Sequence, residues 1–113
     1  NTVLTAQQAA IEAAHPGMRN AELDKVARDI IDGAGYEGCF GHSLGHGVGL
    51  LIHEDPRVSS GAGELVLHPG EIITIEPGIY VEGKYGCRIE DMLYITADGK
   101  RNLTDCPKEL IEV

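Results

Sequence analysis

Three of the five histidines fall in one glycine-threaded stretch, Phe40-Gly41-His42-Ser43-Leu44-Gly45-His46-Gly47-Val48-Gly49-Leu50-Leu51-Ile52-His53-Glu54-Asp55-Pro56. A lone histidine is more often a satisfied polar group than a ligand, but three within twelve residues weigh the other way. Glycine lets the backbone come close to a ligand or to another strand. His46 and His53 are seven residues apart, so on one regular strand they would face opposite sides. A bend or bulge at Gly47 and Gly49 is expected to turn both inward.

Two acidic segments complete the set. Glu71-Ile72-Ile73-Thr74-Ile75-Glu76 reads as a strand after a turn at Pro69-Gly70, with Ile72, Thr74 and Glu76 on one face. A glutamate inside such a strand is costly to bury unless it is paired or bound to a cation. Cys87-Arg88-Ile89-Glu90-Asp91-Met92 opens a second strand that runs to Thr96, with Arg88 and Glu90 on the face opposite Ile89. If the two strands are antiparallel neighbours, Glu76 and Glu90 converge. The competing account is an ion pair from Arg88 to Glu76 or Glu90 with no metal. One imidazole and two carboxylates suit Mn²⁺, Fe²⁺, Co²⁺ or Zn²⁺. Carboxylates can also bridge two ions, as metal-assisted hydrolysis requires.

Two other matches fail on context. His53-Glu54 does not continue as H-E-x-x-H, because Arg57 stands where the second histidine belongs and Pro56 would break the helix. Gly33-Ala34-Gly35-Tyr36-Glu37-Gly38 has the spacing of a dinucleotide loop, but it closes a helix instead of following a strand.

The elements that must position these residues follow from pattern. Residues 3–14, rich in alanine and glutamine, read as a helix that His15-Pro16-Gly17 stops. A second helix is expected from Asn20 as N-cap, with Glu22 and Asp24 in its first turn. Leu23, Val26, Ala27, Ile30, Ile31 and Ala34 make one apolar face, and Gly33 and Gly35 end it. Asp98-Gly99 marks a hairpin into a short strand near Arg101 to Leu103. Helices first, then strands with hairpin-length connections, give an α+β domain with a mainly antiparallel sheet.

The chain has 113 residues and a formal net charge of −9. Its length suits one domain, residues 1–113. The charge argues against nucleic acid and anionic membrane as partners, since both need basic patches. No apolar run has the length of a membrane span, and the start lacks the basic-then-apolar pattern of a signal peptide. Cys39, Cys87 and Cys106 are odd in number and lack C-x-x-C spacing, which points to reduced thiols and a cytoplasmic location. The first residue is Asn1, so a processed chain or a piece of a longer protein is expected.

In order and spacing, G-H-S-L-G-H-G-V-G-L-L-I-H-E-D-P, P-G-E-I-I-T-I-E-P-G-I-Y and G-C-R-I-E-D-M resemble the pita-bread metallopeptidases, the superfamily of methionine aminopeptidase, aminopeptidase P and prolidase. A-A-H-P-G-M, A-R-D-I-I-D-G-A-G-Y and L-T-D-C-P-K-E-L extend the likeness along nearly the whole chain. The R-I-E-D context of Glu90 resembles the proline peptidases, and H-E-D-P is more like the Xaa-Pro dipeptidases than aminopeptidase P.

The resemblance implies that His46, Glu76 and Glu90 are metal ligands, with Glu90 bridging two ions, Mn²⁺ first and Co²⁺, Fe²⁺ or Zn²⁺ as alternatives. It implies that Glu76 also shuttles a proton and that His53 steadies the scissile carbonyl or the tetrahedral intermediate. His42 and Tyr80 would line the substrate pocket, and Arg88 would orient the ligands from behind. The family also has two aspartate ligands and a further histidine upstream, which Asp24, Asp29 and Asp32 do not match. The chain therefore resembles the C-terminal part of the pita-bread fold, with its N-terminal half as missing partner and a homodimer as the intact form. The implied activity is hydrolysis of a peptide bond preceding proline in a proline-containing peptide, with the 113-residue chain inactive by itself. The alternatives are aminopeptidase P acting on longer Xaa-Pro peptides and a non-catalytic binding module on the same fold.

Overall fold

Small side chains set the packing of the first helix. In the computed structural model, which describes residues 1–113, α1 (Thr2–Ala13) buries Val3, Ala6 and Ala10. Alanines on that stripe let α2 (Asn20–Ile31) pack closely against it. α2 buries Leu23, Ala27 and Ile31 completely, at helical spacing, with Ile30 packed beside them. Ala34, expected on the same face, is exposed, because the α-helix ends at Ile31. The chain then opens into one wide turn, Asp32–Tyr36, in which Gly35 takes φ +94°. Glycine reaches that region without the steric cost other residues meet.

Asn20 is not the cap expected of it. Arg19 holds the N-cap position, and Asn20 is the first helical residue. It is buried, with Nδ2 donating to the Arg57 carbonyl at 2.9 Å. Its amide thus fastens α2 to the neighbouring strand instead of closing the helix end.

Five strands form an antiparallel sheet in the order β2 (Glu54–Val58), β1 (Gly45–Gly47), β3 (Ile72–Ile75), β6 (Asp91–Ile95) and β7 (Lys100–Asn102). Ile73, Ile75, Leu93 and Ile95 are fully buried in one core with Leu23, Ala27 and Ile31 of α2. Burying each such isoleucine or leucine contributes about 1.5–3 kcal/mol. Alternation sends Thr74 and Met92 to the other face, which carries the site.

β4 (Gly78–Val81) and β5 (Tyr85–Arg88) form a separate two-stranded ribbon. Its register continues that of β3 and β6: Ile75 pairs with Asp91, and Gly78 with Arg88. The chain is thus one long hairpin interrupted at Glu76-Pro77 and Ile89-Glu90, not an unbroken strand from Cys87 to Thr96. Pro77 has no N–H to give a ladder. The Glu76 N–H donates instead to the Leu44 carbonyl at 2.7 Å. No helix is long and apolar enough to cross a membrane.

Candidate metal centre

Gly45 determines where His46 sits. A Cβ at Gly45 would lie 1.8 Å from the Thr74 carbonyl oxygen, so only glycine lets β1 press this closely on β3. The His46 N–H then donates to Thr74 Oγ1 at 3.1 Å. The imidazole Nδ1 is 2.9 Å from the Gly47 carbonyl, which can only accept, so Nδ1 carries a proton. In the neutral ring Nε2 therefore has a free lone pair. That atom faces Glu76 Oε2 at 3.3 Å.

Glu90 closes the group: His46, Glu76 and Glu90 each offer a ligand atom, and these atoms all lie within 4.8 Å of one another. Burial, and then the charge of Glu76, push the Glu90 carboxyl above its ordinary pKa, while Arg88 and His46 pull it back. A lone pair aimed at a carboxylate, with a second carboxylate alongside, is a donor set that a divalent cation satisfies. The fit of residues to cation rests on that geometry.

Arg88 forms no ion pair with either glutamate; its charge reaches Glu90 through space. The ion pair from Arg88 that the competing account called for is not formed, and Glu76 instead meets His46.

His53 arrives by a different route from the bend expected within one strand. β1 ends at Gly47, and the chain returns through Val48–His53 to β2, where Glu54 pairs with Gly47. Glu54 Oε2 accepts from the Leu51 N–H at 3.0 Å and closes this loop. The His53 ring, exposed, lies with its centroid 4.4 Å from that of His46. It stands beside the three-residue cluster without belonging to it.

On the other side, His42 and Tyr80 are joined. His42 Nδ1 donates to the Ser43 carbonyl at 2.8 Å, which leaves Nε2 to accept from the Tyr80 hydroxyl at 2.8 Å. A cavity of about 740 Å³ runs between His42, His46, His53, Glu76 and the Arg57–Ser60 segment. A second, of about 410 Å³, opens on the Glu90 side toward Val48, Ile52, Arg88 and Met92. His46, His53 and Glu76 line both, so they form the partition between them.

Two acidic residues are structural: Asp24, expected as a first-turn acid of α2, where only Glu22 stands, and Asp91, which pattern reading passed over. Asp24 is wholly buried and receives Arg28 through two hydrogen bonds, at 2.8 and 3.1 Å. Its signal was the Asp-x-x-x-Arg spacing beside the apolar Leu23 and Ala27. Asp91 is 1% exposed and accepts from Asn102 and Lys108. Its signal was the period of two, with Asp91, Leu93 and Ile95 on one face.

The model of metallopeptidase family M24 matches residues 1–97, and the chain belongs to that family. It is 55% identical over 109 residues to the Xaa-Pro dipeptidase of Pyrococcus furiosus, covering 96% of this chain and 31% of that protein. The solved Xaa-Pro dipeptidase of Bacillus anthracis superposes with a TM-score of 0.94 at 45% identity, covering 98% of this chain and 31% of that one. The X-Pro aminopeptidase of Thermotoga maritima gives 0.90 at 44%, covering 96% and 30%. The chain thus spans about a third of the length of the relatives it matches. Two helices and a mainly antiparallel sheet constitute the part of the pita-bread fold present here.

Proposed function

We propose that this chain supplies one wall of a proline-specific dipeptidase, with His46, Glu76 and Glu90 as its share of a centre for two divalent ions, Mn²⁺ foremost. The convergence of their ligand atoms within 4.8 Å is the observation that carries the reading. Cations held there would supply Lewis acidity toward the scissile carbonyl and acidify the attacking water. Glu76, half-buried and not consumed by any cationic side chain, takes the proton from that water and returns it to the departing proline nitrogen. His53, beside His46 but outside the donor cluster, donates to the carbonyl oxygen as charge builds on it. His42 lines the cavity and would shape the pocket for the proline ring, with Tyr80 holding its imidazole from outside the cavity lining. Arg88 tempers the repulsion between the two carboxylates from the ribbon side.

The second reading, an aminopeptidase for longer Xaa-Pro peptides, draws on the 44% identity to the Thermotoga maritima protein. Alanyl-proline and alanyl-prolyl-alanine, assayed with Mn²⁺, separate the two. The chain extended upstream to the length of its relatives is expected to prefer the dipeptide. The 113-residue chain alone is expected to be inactive, since it offers only three donor residues in the cluster. Robust turnover by the chain alone, abolished by Glu90→Gln, would overturn the account of a shared centre.

A further inference from the structure

We infer that Asp24 and Arg28 are positioning residues for the substrate pocket, a helix-borne clamp that sets His42 against Tyr80; this rests on the reading of His42 and Tyr80 proposed above. Residues Phe40 to Ser43 lead from the helical layer to the site, and their backbones make no hydrogen bond to other backbone groups. The flanking bonds are Tyr80 N–H to Cys39 O and Glu76 N–H to Leu44 O. Between those anchors, the loop is held from α2. Arg28 Nη1 donates to Phe40 O at 2.7 Å and Nη2 to His42 O at 3.0 Å, while the Leu44 N–H donates to Asp24 Oδ1 at 3.0 Å. The guanidinium also lies 4.2 Å from the Phe40 ring centroid. Phe40 meets the His42 imidazole edge to face at 5.0 Å, and His42 bonds Tyr80.

Stability alone does not require this arrangement. A buried ion pair contributes little net stability, because desolvation offsets its attraction, and an apolar pair of similar volume serves a core as well. What the planar fork of arginine adds is geometry. One guanidinium spans the Asp24 carboxylate and two carbonyls at once, which the single ammonium of lysine cannot do. The clamp fixes the path of residues 40–44 and so the His42 ring. The hydrogen bonds of Arg28 go to Asp24 and to the carbonyls of Phe40 and His42, none to His46, Glu76 or Glu90, although its side chain also borders the cavity of about 740 Å³.

The test is Arg28→Lys, which keeps the charge and the partner but loses the fork. In the chain extended upstream to the length of its relatives, KM for alanyl-proline is expected to rise about tenfold, with kcat within about twofold and Mn²⁺ affinity unchanged. In a His42→Ala background the same change is expected to cost less than about twofold, because its route to substrate is already gone. Equal losses in both backgrounds would mean a merely structural role and overturn the inference. A second readout needs no activity. In the metal-free chain, imidazole nitrogen shifts should show His42 locked with its proton on Nδ1, and Arg28→Lys should give a mixture of tautomers. An unchanged tautomer overturns the clamp. A wild-type enzyme that hydrolyses no Xaa-Pro peptide overturns the proposed reaction instead, and the tautomer result still decides the clamp.

Discussion

Glu76 and Glu90 oppose each other at the point where a continuous antiparallel register is interrupted, held there by the Ile89 N–H to Pro77 O bond at 3.3 Å. Ile75 and Asp91 pair on one side of the gap, Gly78 and Arg88 on the other. Like charges directly opposite across strands are destabilising. Two glutamates facing each other there are a cost to the sheet that a cation between them would relieve. Both side chains turn toward His46 at this interruption, with their ligand atoms and that of His46 within 4.8 Å of one another.

Removing the charge of Glu90 should therefore stabilise the metal-free chain. Its folded-state pKa is raised, first by partial desolvation of a side chain that stays largely exposed and second by Glu76. In the window between the ordinary carboxyl pKa and the raised one, the folded state holds more protons than the unfolded state. Stability is then full below that window and falls as pH rises through it. Glu90→Gln should abolish this pH dependence and raise Tm near neutral pH by about 2–4 °C, small because the side chain is exposed and screened. Thermal melts in chelator from pH 4 to 8 measure it. A lower Tm for the variant at neutral pH would contradict the repulsion.

Metal binding should divide the histidines. His46→Ala, Glu76→Gln and Glu90→Gln are each expected to weaken Mn²⁺ binding by about tenfold or more, because each removes one of a small set of donors. His53→Ala should change it by less than about threefold, since a neighbour outside the donor set affects the ion only indirectly. Calorimetric titration distinguishes the two groups. Equal losses for His46→Ala and His53→Ala would place His53 among the ligands.

Much of this was legible in the sequence because periodicity carries it. The stripe of Leu23, Ala27 and Ile31, and the alternation in Ile72–Ile75, follow from helical and strand spacing, and they place the core on one side of the sheet. Glu76 stood out because it breaks an apolar run. Contacts distant in sequence were not legible. Nothing local says that Asn20 will bond Arg57, or that the backbone of residues 40–44 will be held by a helix 12 to 20 residues earlier. The break at Ile89-Glu90 was also hidden, since its cause lies across the sheet at Pro77.

Gly45→Ala should be severe. The new Cβ would meet the Thr74 carbonyl carbon at 2.7 Å and its oxygen at 1.8 Å, and backbone cannot swing aside as a flexible side chain can. β1 must then separate from β3, which breaks the His46 N–H to Thr74 Oγ1 bond. A loss of about 3 kcal/mol in urea denaturation is expected, together with weaker Mn²⁺ binding because His46 moves away from Glu76. A variant of unchanged stability would show that the close approach of the strands is not required.

Asp91 gives the sharpest test of what lies beneath the site. It sits on the core face of β6 beside the buried Leu93 and Ile95, 1% exposed, immediately after Glu90. A carboxylate there is tolerable only because Asn102 Nδ2 donates to Oδ2 at 2.9 Å and the Lys108 ammonium meets Oδ1. The second contact ties the segment after β7 back across the sheet. Asp91→Ala removes the acceptor and leaves Lys108, whose side chain is 26% exposed, without its counter-charge. About 2–4 kcal/mol of stability should be lost in urea denaturation. Lys108→Met is expected to be at least as damaging, because the charge left behind is the more deeply buried of the two. The double variant Asp91→Ala, Lys108→Met should recover part of the loss, giving a coupling energy of about 1–3 kcal/mol. Strict additivity in that cycle would mean that the two side chains do not interact, and that the segment carrying Lys108 is held on the sheet by other contacts, such as the Leu103 N–H to Met92 O bond.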